Sequence, residues 1–346
     1  MNGTIKYPEL SIVMPFYKEP ILVIEMLESI IANSYRDWEL LAVDDGMDED
    51  ELKMVFEKIT DERVRFIKRT AGAKGAQKCR NIGLEEARGK YIIFVDSDDF
   101  MTQMSLENRV KAIKANPDVD FVVSPSGTYD NGTFKPYNEQ RAFGYNVYKN
   151  DFSAFLRKTL PFIVWNNIYC TSSIKKVGLT WDEKILSLQD ADFNIQALLL
   201  GLNYKYATVP PDYGYRFNGS TSSITSKIRS MQHFESHLYF SEKVNFSVIK
   251  RFGHKYDFSL YLGLLYIYTL LFANGVDYKK ATRLVYVLKK DNVFYWFLLW
   301  LKIQFSKLLD YVLPSDIAAK IPLIPYLFWR KLQRRIIIKR LRRSFL

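Results

Sequence analysis

Cysteine and histidine are scarce: the 346-residue chain holds two cysteines and three histidines. Cys79 and Cys170 cannot build a disulfide framework or a four-ligand zinc site, so a reducing compartment is expected. The first residues lack a basic segment followed by an uninterrupted apolar run, so no signal peptide is expected. No repeat of fixed period occurs, and neither G-x-G-x-x-G nor a P-loop is present. Acidic residues are missing from Arg330 to Leu346, where eight residues are basic. The formal charge is +11, so the first 329 residues carry only +3. A nucleic-acid-binding surface would spread its cations over the body, and no nucleic-acid partner is expected. One uncharged run, Phe258–Val276, has the length of a membrane span. It also holds Tyr261, Tyr266, Tyr268, Ser259, Thr269 and Asn274, which suit a buried or interfacial helix better.

What is present is a globular composition, 48% hydrophobic and 25% charged. Short apolar runs alternate with helical periodicity. Strands are expected at Leu10–Phe16, Trp38–Val43, Val64–Ile67, Tyr91–Val95 and Phe121–Ser124. Helices are expected at Ile21–Asn33, Asp48–Ile59, Gly75–Ala87 and Leu106–Ala115. This order predicts an α/β fold: a mainly parallel, Rossmann-like sheet with helices on both faces. The segment from about Pro125 to Phe217 is less regular, and from Ser230 onward the chain reads as aromatic-rich helices.

Ligands of such sheets bind at the carboxyl ends of the strands. Two acidic groups fall there: Asp44-Asp45-Gly46 and Asp96-Ser97-Asp98-Asp99. Adjacent carboxylates repel unless a cation joins them, and Mg²⁺ or Mn²⁺ with substrate phosphates is the natural partner. A solvated turn with Asp at a helix cap is the simpler explanation of Asp-x-Asp when it stands alone. Between the two groups, Gly72 and Gly75 permit close backbone approach, and Lys74, Lys78 and Arg80 offer phosphate or base contacts.

The set as a whole resembles family 2 glycosyltransferases. It comprises Ser11-Ile-Val-Met-Pro15-Phe-Tyr17, Leu27-x-Ser29-Ile, Val43-Asp44-Asp45-Gly46, Arg80-Asn81-x-Gly83 and Tyr91-Ile-x-Phe-x-Asp96-Ser97-Asp98-Asp99. The resemblance covers about residues 8–125, weakens through the middle and ends near 225. It implies a GT-A fold and an inverting, metal-dependent transferase that uses a nucleotide-diphospho-sugar, with UDP favoured. By the same resemblance, Pro15 and Tyr17 line the nucleotide pocket, Asp45 with Asp44 holds the base, and Arg80 lies near base and phosphates. Asp96 and Asp98 contact ribose and metal, with Asp98 the expected metal ligand and Asp99 its close alternative. Met47 replaces the usual Ser after Asp-Asp-Gly.

Inverting displacement needs a base on the face opposite the leaving diphosphate. The family's Glu-Asp pair corresponds here to Gln189-Asp190, at the start of an apolar helix, which makes Asp190 the expected base and Asp192 the runner-up. Asp190 as a simple helix cap is the competing explanation. Trp165, in Trp165-Asn166-Asn167-Ile168-Tyr169, resembles the family's acceptor border; a core tryptophan is the alternative. Arg216 is expected either at the diphosphate or in a structural ion pair. His233 and His237 are expected to be surface residues, not a zinc site.

A sugar nucleotidyltransferase would want a Gly-rich loop after the first strand, and a processive synthase a Gln-x-x-Arg-Trp motif; neither occurs. A degenerate, scaffolding relative or a transferase acting on a protein or soluble acceptor remains the alternative. The expected domains are a catalytic 1–228, divided near 125/126 into nucleotide-sugar and acceptor halves, and a helical 229–346. The tail 326–346 interleaves apolar and basic residues, as in an interfacial helix on an anionic membrane. The expectation is therefore attachment at the cytoplasmic membrane face, with a glycan or lipid-linked glycan as acceptor.

Overall fold

Leu10–Phe16 is a strand with all seven residues buried, which is why its sequence is continuously apolar rather than alternating. The computed structural model describes residues 7–130, 132–136, 143–216, 230–273, 283, 293–309 and 324–344. The expected boundary at 228/229 lies outside the described residues, as do 274–276 of the uncharged run and 345–346 of the tail.

The elements begin with β1 (Leu10–Phe16), α1 (Pro20–Ile31), β2 (Trp38–Asp44), α2 (Glu49–Lys58), β3 (Val64–Lys68), α3 (Ala76–Glu86) and β4 (Tyr91–Phe94). Then come β5 (Phe100–Met101), α4 (Ser105–Lys114), β6 (Phe121–Val123), β7 (Ser126–Asp130), β8 (Thr133–Lys135), α5 (Asp151–Leu156) and β9 (Asn167–Cys170). The remainder is α6 (Thr171–Val177), α7 (Gln189–Leu199), β10 (Tyr204–Tyr206), β11 (Tyr213–Arg216), α8 (Met231–Phe252) and α9 (Asp257–Ala273). Two further helices, Val293–Leu309 and Ile324–Ser344, follow.

The chain divides into two units. The first comprises Met1–Asn146, Phe162–Glu183 and Gln196–Asn218. Its main sheet has seven strands in the order β10-β6-β9-β4-β1-β2-β3. All pairings are parallel except those of β9, which runs antiparallel to both β4 and β6. The expected mainly parallel sheet is therefore present. The segment Asn167–Cys170, read as part of an acceptor border, forms the antiparallel strand β9 inside that sheet. A second sheet, β5-β11-β7-β8, adjoins the chain just after Asp99.

Close contacts lock helices to this sheet. A Cβ at Gly83 of α3 would lie 2.3 Å from a Val13 methyl of β1, so only glycine lets the helix come this near. Arg109 of α4 is fully buried and bidentate to Asp212, at 3.0 and 2.6 Å, and donates to the Trp165 carbonyl at 2.6 Å.

The second unit comprises Val147–Pro161, Lys184–Ile195 and Gly219–Leu346. Its core includes Phe234 and Leu238 of α8, Leu264 and Tyr268 of α9, and Leu299, Ile303 and Tyr326 of the last two helices. Helix α9 carries the uncharged run. Leu260, Leu262, Leu264, Leu265 and Ile267 are buried, and Gly263 lets the Leu156 carbonyl of α5 come within 2.1 Å of where a Cβ would sit. Among the described residues, no helix is long and apolar enough to cross a membrane. His233 and His237 are buried, not on the surface as expected. His233 Nδ1 bonds the Ser187 hydroxyl at 2.7 Å, and burial lowers the His237 pKa to about 4.

Candidate active site

Parallel pairing sets the ends of β1, β2, β3 and β4 side by side. Phe16 pairs with Asp44, and Asp44 with Lys68. The Asp45 N–H continues the ladder to the Phe16 carbonyl at 2.9 Å, and the Val95 N–H bonds the Val13 carbonyl at 3.0 Å. Strands in register lie about 4.8 Å apart, so Pro15 and Tyr17, Asp44 and Asp45, and the Asp96–Asp99 turn occupy one edge. Pro15 is buried within β1, whereas Tyr17 stands at the rim with the Lys74 ammonium 3.1 Å from its ring centroid. Lys74 lowers the Tyr17 pKa.

Asp44 and Asp45 divide their tasks. Asp44 Oδ1 accepts the N–H groups of Gly46 and Met47 at 2.8 and 2.7 Å, closing the turn without the hydroxyl that Met47 lacks. Asp48 supplies the α2 cap by accepting from the Asp50 N–H. Asp45 Oδ1 accepts from Arg69 Nε at 2.6 Å and from the Gly75 N–H at 3.1 Å. Arg69 also donates to the Gly72 carbonyl at 3.0 Å, so it ties the 69–75 loop to the end of β2. Sequence reading missed Arg69. The available signal was its place one residue beyond β3, where its N–H bonds the Asp44 carbonyl at 3.0 Å.

At the end of β4, Arg80 meets Asp96 Oδ1 at 2.5 Å while its guanidinium packs on Trp181, 4.5 Å from the ring centroid. Asp98 is half-buried. Burial, reinforced by Asp96, pushes its carboxyl up to about 6. Asp99 is buried, and burial first, then Asp98 and Asp96, raises it well above the carboxylate range. Its Oδ1 accepts the Arg216 N–H at 2.8 Å, and the Tyr213 hydroxyl lies against the same carboxyl. Three acids thus crowd one turn, where Arg80 pairs with Asp96. This surplus of hard oxygen donors fits a divalent cation, although no cluster of three metal-binding side chains is preformed among the described residues.

Three expected site residues have their side chains engaged by other partners. Trp165 is 2% exposed and stacks on Tyr213 at 4.6 Å, with Phe143 edge-on at 5.8 Å. It is a core tryptophan with no face open to a sugar. Arg216 pairs with Glu25 at 2.6 Å and packs over Tyr129, which is the structural ion pair, while its N–H stays on Asp99. Asp192 is buried in the second unit and pairs with Lys243 at 2.7 Å, so it is committed to packing rather than to an acceptor. Asp190, half-buried, sits in the first turn of α7.

The model of Glycosyl transferase family 2 matches residues 11–178. The glycosyltransferase MJ1057 of Methanocaldococcus jannaschii is 30% identical over 203 residues, covering 57% of this chain and 67% of that protein. The chain belongs to glycosyltransferase family 2.

The family match takes in β1 through α6, and so every acid of the edge described above. The chain spans only 16%, 22% and 44% of the length of three other curated relatives that it matches. The fold is shared more widely. The 1–349 portion of S. aureus TarS, solved with UDP-GlcNAc, superposes with a TM-score of 0.64 at 17% identity, over 92% of this chain and 91% of that one. The mannosyltransferase PcManGT of Pyrobaculum calidifontis, solved with GDP-Man and Mn²⁺, gives 0.53 at 16% identity, over 96% and 86%. At these identities the likeness speaks for the fold, which is GT-A.

Proposed function

We propose that the protein transfers a sugar, with inversion, from a nucleotide-diphospho-sugar to an acceptor hydroxyl. The observation that carries this reading is the row of acids, Asp44, Asp45, Asp96, Asp98 and Asp99, that the parallel strands bring to one edge. Asp45, held by Arg69 and the Gly75 N–H, presents a fixed acceptor for a base or ribose donor. Tyr17 offers a ring at the rim. Asp98, with Asp96 beside it, would hold Mg²⁺ or Mn²⁺, and Asp99 supports the turn from behind. The bound ion would supply charge stabilisation to the departing diphosphate. Asp190 takes the proton of the acceptor hydroxyl. UDP is the favoured nucleotide; the TarS complex with UDP-GlcNAc supports it, and the GDP-Man complex keeps GDP in the panel.

The acceptor is proposed to be a glycan carried on a lipid, reached at the cytoplasmic membrane face. The basic, apolar C-terminus supports this. The deciding experiment incubates the full chain with a panel of UDP- and GDP-sugars and Mn²⁺ and measures released nucleotide. Asp98→Asn should abolish release. Asp190→Asn should lower kcat about 10²- to 10⁴-fold while nucleotide binding stays intact. No turnover with any donor, wild type included, would instead favour a non-catalytic scaffold.

A further inference from the structure

The Val293–Leu309 helix is apolar on two opposite faces. One face turns Leu299 and Ile303 into the core of the second unit. The other carries Phe294, Phe297, Leu301, Phe305 and Leu308, each between 42% and 65% exposed. Their spacing of three, four, four and three residues keeps all five within one stripe. Scattered exposed apolar residues are ordinary, but five in one continuous stripe mark a surface built to be covered.

The Ile324–Ser344 helix repeats the arrangement with charge added. Tyr326 and Leu341 are buried, while Ile324, Phe328, Leu332 and Ile336 are exposed at four-residue steps. Beside that row, Lys331, Arg335 and Lys339 are exposed, also at four-residue steps. Neither helix contains an acidic residue. The charges select the occupant. A second copy docked on this face would set like charges against each other, whereas anionic phospholipid headgroups neutralise them. Lysine and arginine stems can lie along the apolar row with their heads at headgroup level, and the phenylalanines enter the acyl boundary.

We propose that these two helices form a monotopic docking face for an anionic lipid bilayer. The face lies in the interface rather than crossing it, in keeping with the lack of a spanning helix among the described residues. It is independent of the catalytic reading, since none of its residues belongs to the strand-end site.

Vesicle flotation of the full chain tests it, with no readout of activity. Phosphatidylcholine vesicles are compared with vesicles containing roughly one-third phosphatidylglycerol, at low and high salt. The protein should float with the anionic vesicles and detach as salt rises. The variant Phe297→Ser/Leu301→Ser/Phe305→Ser should lose at least about tenfold in partition. The variant Lys331→Gln/Arg335→Gln/Lys339→Gln should lose the preference for anionic lipid, by about fivefold for each charge removed. Far-UV circular dichroism and melting confirm that each variant is folded, and if the serine variant is not, the charge variant decides. Wild-type protein that stays soluble with anionic vesicles, or folded variants that float like wild type, would overturn the proposal. So would a solution dimer that the serine variant dissociates, because a second copy would then be the occupant.

Discussion

Arg69 shows how one side chain can prepare a site. It fixes Asp45 from one side while the Gly75 N–H holds it from another, so the carboxylate meets a nucleotide already oriented. Arg69→Ala should strip that buried acid of its charged partner and weaken nucleotide binding by about 1–3 kcal/mol. Calorimetric titration with UDP would measure this, and Arg69→Lys should restore only part because it lacks the planar fork. Lys158 is the opposite case, a costly residue. It is 8% exposed, has a left-handed backbone at φ 59°, and places its ammonium 4.1 Å from the Phe240 ring centroid. Burial lowers its pKa to about 7, against the pull of Asp192, which Lys243 already pairs. In the unfolded chain a lysine titrates near 10.4. Between these values the unfolded state binds the extra proton, so this group's penalty is full below pH 7 and fades as pH rises toward 10. Lys158→Met should therefore stabilise the fold at neutral pH by about 1–4 kcal/mol and flatten the rise in stability above pH 7. Thermal unfolding across that range, wild type beside variant, measures both.

At the scale of elements, the contact of α3 with β1 positions Arg80. Gly83 brings the helix against Val13, and Arg80, one turn earlier, then reaches Asp96. Gly83→Ala should force the two apart and cost about 1–3 kcal/mol of stability. It should also weaken donor binding through Arg80, which separates it from a purely structural lesion when KM and melting temperature are measured together. The main strands and helices were legible because apolar runs of four to seven residues between Gly, Asp and Pro leave few alternatives. β9 was not. Its four residues follow Trp165-Asn166 and open on a second asparagine, and only its antiparallel partners β4 and β6 make it a strand. The histidines of α8 were misplaced for a related reason: helical spacing puts His233 and His237 on one face, but does not say that Ser187 covers that face.

Across the whole molecule, the first unit carries the acids and the second ends in the cations. Divalent metal and nucleotide should bind the first together, each supplying charge that the other lacks. UDP with Mn²⁺ should raise the melting temperature, a chelator should reverse the rise, and Asp98→Asn should abolish it. At ligand a hundredfold above Kd the stabilisation is about 2.7 kcal/mol. Neither ligand alone should have the full effect.

The sequence by itself determined the α/β order, the strand-end position of Asp45, Asp96 and Asp98, the family, and the concentration of charge beyond residue 329. These follow from local periodicity and from residues adjacent in the chain. The tertiary structure decided which polar and aromatic groups were already committed. Trp165 went to the core, Arg216 to Glu25 and Asp192 to Lys243, while Asp45 gained Arg69. Those partners lie tens to nearly two hundred residues away, and a side chain's availability depends on what packs against it, which no short window of sequence contains.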